Sequence, residues 1–161
     1  MKKIINKLSF VGNNKSSAVI AMLIVSLIVL GCGGKPEMPA ESVSQSLVKS
    51  TLSDFADAID KGDFKAFREK TSAEFQKDIT EEKLKATFKD FMDKKELIVP
   101  ILREAAGKDT KFSPTPSIRD ADYVLETKGE TETADNKVKI DNGYVWRDGV
   151  WKLLEIKVEL K

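Results

Sequence analysis

The chain has 161 residues, with 27 basic and 26 acidic side chains and a formal net charge of +1. That balance excludes the strongly basic surface by which proteins bind nucleic acids. The sequence has no histidine and one cysteine, which excludes an intramolecular disulfide and removes most of the ligands of transition-metal sites. We therefore predict no metal, no cofactor and no nucleic-acid partner.

The first 31 residues have the layout of a secretory signal peptide. Four lysines and no acidic residue precede an apolar run from Ala18 to Leu30, in which Ser26 is the only polar member. A basic start, a short apolar run and small residues at its end are typical of such signals. The run is shorter than the roughly 20 residues that a transmembrane helix needs.

The segment Val29-Leu30-Gly31-Cys32 resembles the bacterial lipobox, in which a small residue precedes the cysteine that is lipidated. The resemblance implies diacylglyceryl transfer to the Cys32 sulfur, cleavage between Gly31 and Cys32, and acylation, as by palmitate, of the new amino terminus. Two or more acyl chains give stable anchoring. The resemblance also implies that Gly33, in place of aspartate, favours the outer membrane if the host has two membranes. The alternative is a plain secretory signal with an incidental cysteine.

The remaining chain fits a single domain. We predict that residues 1–31 are a lipoprotein signal peptide, that residues 32–42 are a lipidated flexible tether, and that residues 43–161 are one domain. Removing the signal takes away four lysines and no acid, which leaves 23 basic and 26 acidic side chains. The predicted mature protein is mildly acidic, with charges of both signs.

Helices are predicted in the first half of the domain. Residues 43–59 carry apolar side chains at spacings of three and four, and Gly62 follows as a typical helix end. Asp63 and Thr80 are predicted to cap two further helices. The run Glu96–Leu102 is broken by Pro100 and is assigned to no regular element.

Antiparallel strands are predicted in the second half. Residues 112–118 contain Pro114 and Pro116 and cannot form a central strand. Strands are predicted around residues 123–127 and 138–146, and Arg147-Asp148-Gly149 indicates a tight hairpin turn. In the last strand Leu154, Ile156, Val158 and Leu160 alternate with charged residues, so Trp151 and Leu153 are predicted to lie on the outer, solvated face.

Three short motifs together resemble the nuclear-transport-factor-2-like superfamily. They are the corner Ala58–Phe64, the helix Leu84–Met92 with its paired phenylalanines, and the hairpin Tyr144–Leu153. The resemblance implies an α+β fold in which N-terminal helices pack on a strongly bent antiparallel sheet, forming a cone. Cystatin-like domains share this outline. The superfamily includes enzymes and non-catalytic binding domains, so the fold does not decide the function.

Two groups of side chains are candidates for function. One group lines either a pocket in the cone or simply its core, and consists of Phe64, Phe67, Phe88, Phe91, Tyr144 and Trp146. The other group, Trp151 and Leu153, is a candidate interaction surface, since apolar residues on a charged face mark interfaces. No residue is assigned a catalytic role.

We predict a membrane-anchored, non-catalytic binding or assembly module of the cell envelope. Its membrane contact is the lipid on Cys32, and its ligand is an envelope protein or a small apolar molecule. One alternative is a cofactor-free enzyme that uses a buried carboxylate in the cone. Another is a structural adaptor that forms a homodimer through the outer sheet face.

Overall fold

The computed structural model describes residues 4–8 and 36–161, so the predicted cleavage and lipidation sites, Gly31 and Cys32, lie outside the described residues. Within residues 36–161 the helices come first and antiparallel strands follow, which confirms the α+β class. The helices are α1 (Glu41–Lys61), α2 (Lys65–Glu69), α3 (Ala73–Asp78), α4 (Glu81–Thr87), α5 (Lys89–Asp93) and α6 (Lys95–Ala106). The strands are β1 (Ile4–Leu8), β2 (Lys111–Phe112), β3 (Ser117–Arg119), β4 (Val124–Glu132), β5 (Lys137–Arg147) and β6 (Val150–Leu160).

The strands form one sheet in the order β1-β6-β5-β4-β2, and β3 also pairs with β4. Every pairing is antiparallel. The two short strands β2 and β3 lie on either side of Pro114 and Pro116 and pair only with β4, as expected for a proline-containing segment at a sheet edge. Strand β1 falls within the predicted signal peptide and pairs with β6.

Helix α1 is longer than predicted but has the predicted apolar face. Val48, Leu52, Phe55 and Ile59 are fully buried. The helix ends at Gly62, whose φ of +64° is the left-handed conformation that glycine adopts without strain. The Gly62 N–H donates to the carbonyls near the helix end, which completes the predicted cap.

Helix α6 was not predicted, because Pro100 lies inside it. Proline removes one backbone hydrogen bond from a helix interior, but here packing against α1 outweighs that loss. Ile98, Leu102 and Ala105 bury one face of α6, and Arg103 of α6 donates to the carboxylates of Asp57 and Asp60 in α1 at 3.0 and 2.9 Å. The apolar run 96–102 is therefore helical.

Phenylalanines fill the space beneath the helices. The ring centroid of Phe55 lies 4.7 Å from that of Phe88, and it lies between 5.9 and 6.2 Å from those of Phe64, Phe67 and Phe91. All five side chains are buried. Such tilted and edge-to-face contacts are the favoured geometry of aromatic packing. Of the predicted pocket-or-core group, these phenylalanines belong to the core.

The β5–β6 hairpin has the predicted turn. However, the side chains at the start of β6 point to the opposite face of the sheet from the one predicted. Asp148 and Gly149 have φ values of +54° and +81°, as an Asp-Gly hairpin turn requires. The register shifts next to Gly143: Ile140 pairs with Val158, whereas Tyr144 pairs with Leu153.

This β-bulge moves part of β6 to the other face of the sheet. A bulge adds one residue to one strand, which reverses the alternation beyond it. Leu153 is consequently a core residue, 6% exposed, and Trp151 packs against the core on the same side. The prediction that Trp151 and Leu153 lie on the outer face is wrong.

Candidate functional site

A cleft of about 120 Å³ opens between α1 and the β5–β6 hairpin. Its apolar walls are Leu47 of α1, Phe67 of α2, and Trp151 and Leu153 of β6. The bulge in β6 creates this arrangement, because it directs both β6 side chains toward the helices. An engineered apolar cavity of ~150 Å³ accepts a benzene ring, so this cleft has room for about one apolar side chain.

Polar side chains form the base of the cleft. The Tyr144 hydroxyl lies 3.0 Å from the Thr51 hydroxyl and accepts a hydrogen bond from Asn142 Nδ2 at 3.2 Å. Burial raises the pKa of Tyr144 to about 12, although its hydrogen bonds to Thr51 and Asn142 act in the opposite direction. Tyr144 therefore remains protonated at neutral pH. The buried Oδ1 of Asn142 has no partner among residues 36–161, so the network is only partly satisfied.

An ion pair lies at the mouth of the cleft. Lys70 Nζ is 2.7 Å from Asp54 Oδ1, and both residues line the cleft. Lys70 is the more exposed partner. A pair of this kind contributes little to stability because water screens it. It does give the mouth a polar rim around an apolar wall.

Two tryptophans lie beside the mouth, at the end of the hairpin. Trp146 and Trp151 are directly paired across the strands, and their ring centroids are 5.3 Å apart. Trp146 is 41% exposed. Because Trp151 also lines the cleft and its ring packs on that of Trp146, the cleft and the exposed ring of Trp146 form one continuous apolar site. We call this the hairpin site.

The hairpin is fixed to the helical layer at two points. Arg147 donates from Nε and from one terminal nitrogen to Glu74 Oε1 of α3, at 2.9 and 2.6 Å. The Ser72 N–H donates to the Leu153 carbonyl at 2.9 Å. The hairpin site is therefore held in place by contacts that do not use the tryptophan rings.

A larger groove of about 480 Å³ crosses the outer face of the sheet. Its side chains carry charges of both signs and pair with each other, as Lys128 does with Asp141 at 3.7 Å and Lys157 with Glu159 at 2.9 Å. Alternating charges along exposed strands are typical of a solvated face. The groove shows no preference for a ligand of one charge.

The structure separates the predicted site residues into three sets. Phe64, Phe88 and Phe91 are core. Phe67, Tyr144 and Leu153 are core residues that also line the cleft together with Trp151, so the two predicted groups meet there. Trp146 belongs to neither of these two sets and forms the third, because its ring is exposed and packs on that of Trp151. Sequence reasoning missed Thr51, Asn142 and the Asp54–Lys70 pair, whose positions depend on contacts between distant parts of the chain.

No family model, no curated protein and no solved structure matches this chain. Among the residues that the structure describes, no group of histidine, cysteine and acidic side chains has the arrangement of a metal site. Within those same residues, no helix combines the length and apolarity needed to cross a bilayer.

Proposed function

We propose that this protein is a membrane-anchored, non-catalytic binding module of the cell envelope, and that its hairpin site holds an apolar side chain of a partner protein. The anchoring half of the proposal is supported by the apolar run ending at Gly31-Cys32. The binding half is supported by the hairpin site. The helix-then-sheet order is compatible with the nuclear-transport-factor-2-like fold, which we include in the proposal.

The Trp146–Trp151 pair carries the binding proposal. Tryptophan is enriched among the residues that dominate interface energies, particularly where it borders a pocket. Here Trp146 is exposed while Trp151 forms a wall of the cleft. An inserted side chain would contact both indole rings, and the Asp54–Lys70 pair would form part of a polar rim.

The size of the cleft favours a protein partner over a free small molecule. Pockets that hold small ligands have volumes of about 300–1,000 Å³, whereas the cleft measures about 120 Å³. The phenylalanine core fills the neighbouring space, so the cleft does not continue inward. A side chain presented by a larger partner needs only a shallow cleft.

The cleft chemistry does not favour the enzyme alternative. Its buried ionisable group is Tyr144, and a pKa of about 12 keeps this phenol protonated. A protonated phenol donates a hydrogen bond but does not abstract a proton at neutral pH. Asp54, the carboxylate that lines the cleft, is partly exposed at the mouth and paired with Lys70.

Site-specific photo-crosslinking in cells tests the binding proposal. We expect a benzophenone amino acid at Ser50 of the full chain to give a discrete protein adduct, because Ser50 is exposed and lines the same cleft as Trp151. Adding Trp146→Ala should weaken the adduct at least tenfold, since a hot-spot tryptophan contributes about 2 kcal/mol or more. The readout is the adduct yield on an immunoblot.

Leu97 is the matched control position. It is likewise an exposed helical residue, at 64%, but it lies on α6 and does not line the cleft. A benzophenone there should give no adduct of the same mass. Equal adducts at Leu97 and Ser50, or a Ser50 adduct that Trp146→Ala leaves unchanged in a folded chain, would remove the hairpin site as the binding surface.

A further inference from the structure

The edge of β6 that faces away from β5 accepts an antiparallel strand. Strand β1 pairs with it in a continuous register that runs from Ile4 opposite Leu160 to Leu8 opposite Ile156. On its other side β6 pairs with β5. In the full chain β6 is therefore an internal strand, and β1 forms the edge of the sheet.

The hydrogen bonds between β6 and β5 show which backbone groups of β6 point the other way, toward the edge that β1 occupies. Lys161 exchanges both its N–H and its carbonyl with Lys137, each at 3.0 Å. Along an antiparallel strand, successive residues direct these groups to alternate sides. The N–H and carbonyl groups of Ile156, Val158 and Leu160 therefore point away from β5, toward the edge that β1 occupies.

Processing after Gly31 would remove β1, and this step of the inference rests on the proposed function. The mature chain would then expose the backbone groups of β6 along a bare edge. An uncovered edge strand is a template for pairing with another chain. The sequence of β6 indicates which chain fits.

The segment Ile156-Lys157-Val158-Glu159-Leu160 is complementary to itself when reversed. If a two-fold axis passes through Val158, Lys157 of one copy lies opposite Glu159 of the other, and Ile156 lies opposite Leu160. Opposite charges directly across an antiparallel pair are stabilising, as are apolar neighbours on the other face. Lys157 and Glu159 lie on the outer face, whereas Ile156 and Val158 are core residues.

We propose that the mature protein forms a symmetric dimer in which the β6 strands of two copies pair edge to edge around Val158, joining the two sheets into one. The three residues Ile156, Val158 and Leu160 of each copy exchange both backbone hydrogen bonds with the partner. This isologous contact closes on itself, because each copy uses the same strand. It leaves the hairpin sites at the outer ends of the two β6 strands.

The domain without β1 is suitable for a direct test. The core residues that the structure describes all lie between Leu47 and Leu160, so residues 36–161 contain the whole of that core. We expect this chain to sediment as a dimer in analytical ultracentrifugation. Lys157→Glu and Glu159→Lys should each weaken dimerisation at least tenfold, because each places like charges opposite one another.

Mixing the two variants provides the decisive measurement. In a mixed pair every charge again faces an opposite charge, so Lys157→Glu and Glu159→Lys chains should form a heterodimer with nearly the affinity of the unaltered chain. Lys152→Glu is the control, because it changes a charge on the same strand but outside the paired segment, and it should leave the dimer unchanged.

Two results would overturn the dimer. One is an unaltered chain of residues 36–161 that stays monomeric at about 100 μM, well above the Kd of ordinary stable complexes. The other is a mixture of the two charge variants that associates no better than either variant alone. Because this test starts from residues 36–161, it does not depend on lipidation, and a failure of membrane anchoring would be seen separately.

Discussion

Replacing Phe55 with alanine should lower the free energy of unfolding by about 3–5 kcal/mol. Phe55 is fully buried, and its ring contacts those of Phe64, Phe67, Phe88 and Phe91. The smaller side chain loses its transfer free energy and leaves a cavity that four fixed rings cannot readily close. Urea denaturation followed by circular dichroism measures the loss.

Phe112→Ala provides the comparison. Phe112 is only half-buried in the short strand β2, and it packs against the margin of the core. Its removal should cost clearly less than removal of Phe55, because part of its surface is already in water. If Phe55→Ala cost less than about 1.5 kcal/mol, the space beneath the helices would not be a filled core, and an apolar ligand would again be a strong alternative.

Replacing Tyr144 with phenylalanine should lower the free energy of unfolding by about 1–3 kcal/mol. The change keeps the ring but leaves Thr51 Oγ1 and Asn142 Nδ2 without the hydroxyl that they contact at 3.0 and 3.2 Å. Thr51→Val in the same chain should recover part of the loss, since removing both partners costs less than leaving one unpaired. Urea denaturation of the single and double variants measures this coupling.

The raised pKa of Tyr144 predicts that the free energy of unfolding depends on pH. The pKa of Tyr144 is about 12 in the folded protein and about 10 in an unfolded chain. Because the folded pKa is the higher one, the stabilisation is complete below pH 10 and is lost as the pH rises toward 12. The stability difference between the unaltered chain and Tyr144→Phe should therefore shrink by about 1 kcal/mol between pH 8 and pH 11. An unchanged difference would show that the phenol is not desolvated.

The sequence patterns correctly predicted those elements that are determined by residues close together in the chain. The apolar face and glycine cap of α1 and the Asp-Gly turn of the hairpin are determined by residues close in sequence, and the structure confirms each of them. Helix α6 is different, because the packing of its apolar face against α1 outweighs the unfavourable Pro100. No pattern within residues 96–102 reports that packing.

The positions of the Trp151 and Leu153 side chains were predicted wrongly for a second reason. The bulge changes the alternation within β6, and its sequence signal is the adjacent pair Leu153-Leu154, where the apolar positions shift by one residue. A strict alternation assigned these residues to the outer face. The cleft could not be predicted, because its base combines Thr51 with Tyr144, which are 93 residues apart.

Anchoring at Cys32 connects the two proposals made for this protein. It would hold the hairpin site near a membrane, and the cleavage that precedes acylation would remove β1 from the edge of β6. A soluble binding domain that retains residues 1–31 would have neither property. Lipid attachment at Cys32 is therefore the property to test first.

Metabolic labelling with a clickable palmitate analogue tests this attachment most directly, in cells that express either the full chain or its Cys32→Ala variant. The unaltered protein should carry the label and fractionate with membranes, because Cys32 supplies the only thiol in the sequence. The variant should carry no label and should leave the membrane fraction or remain unprocessed. A Cys32→Ala chain that is still labelled and still membrane-bound after cleavage would show that Cys32 is not the lipid anchor.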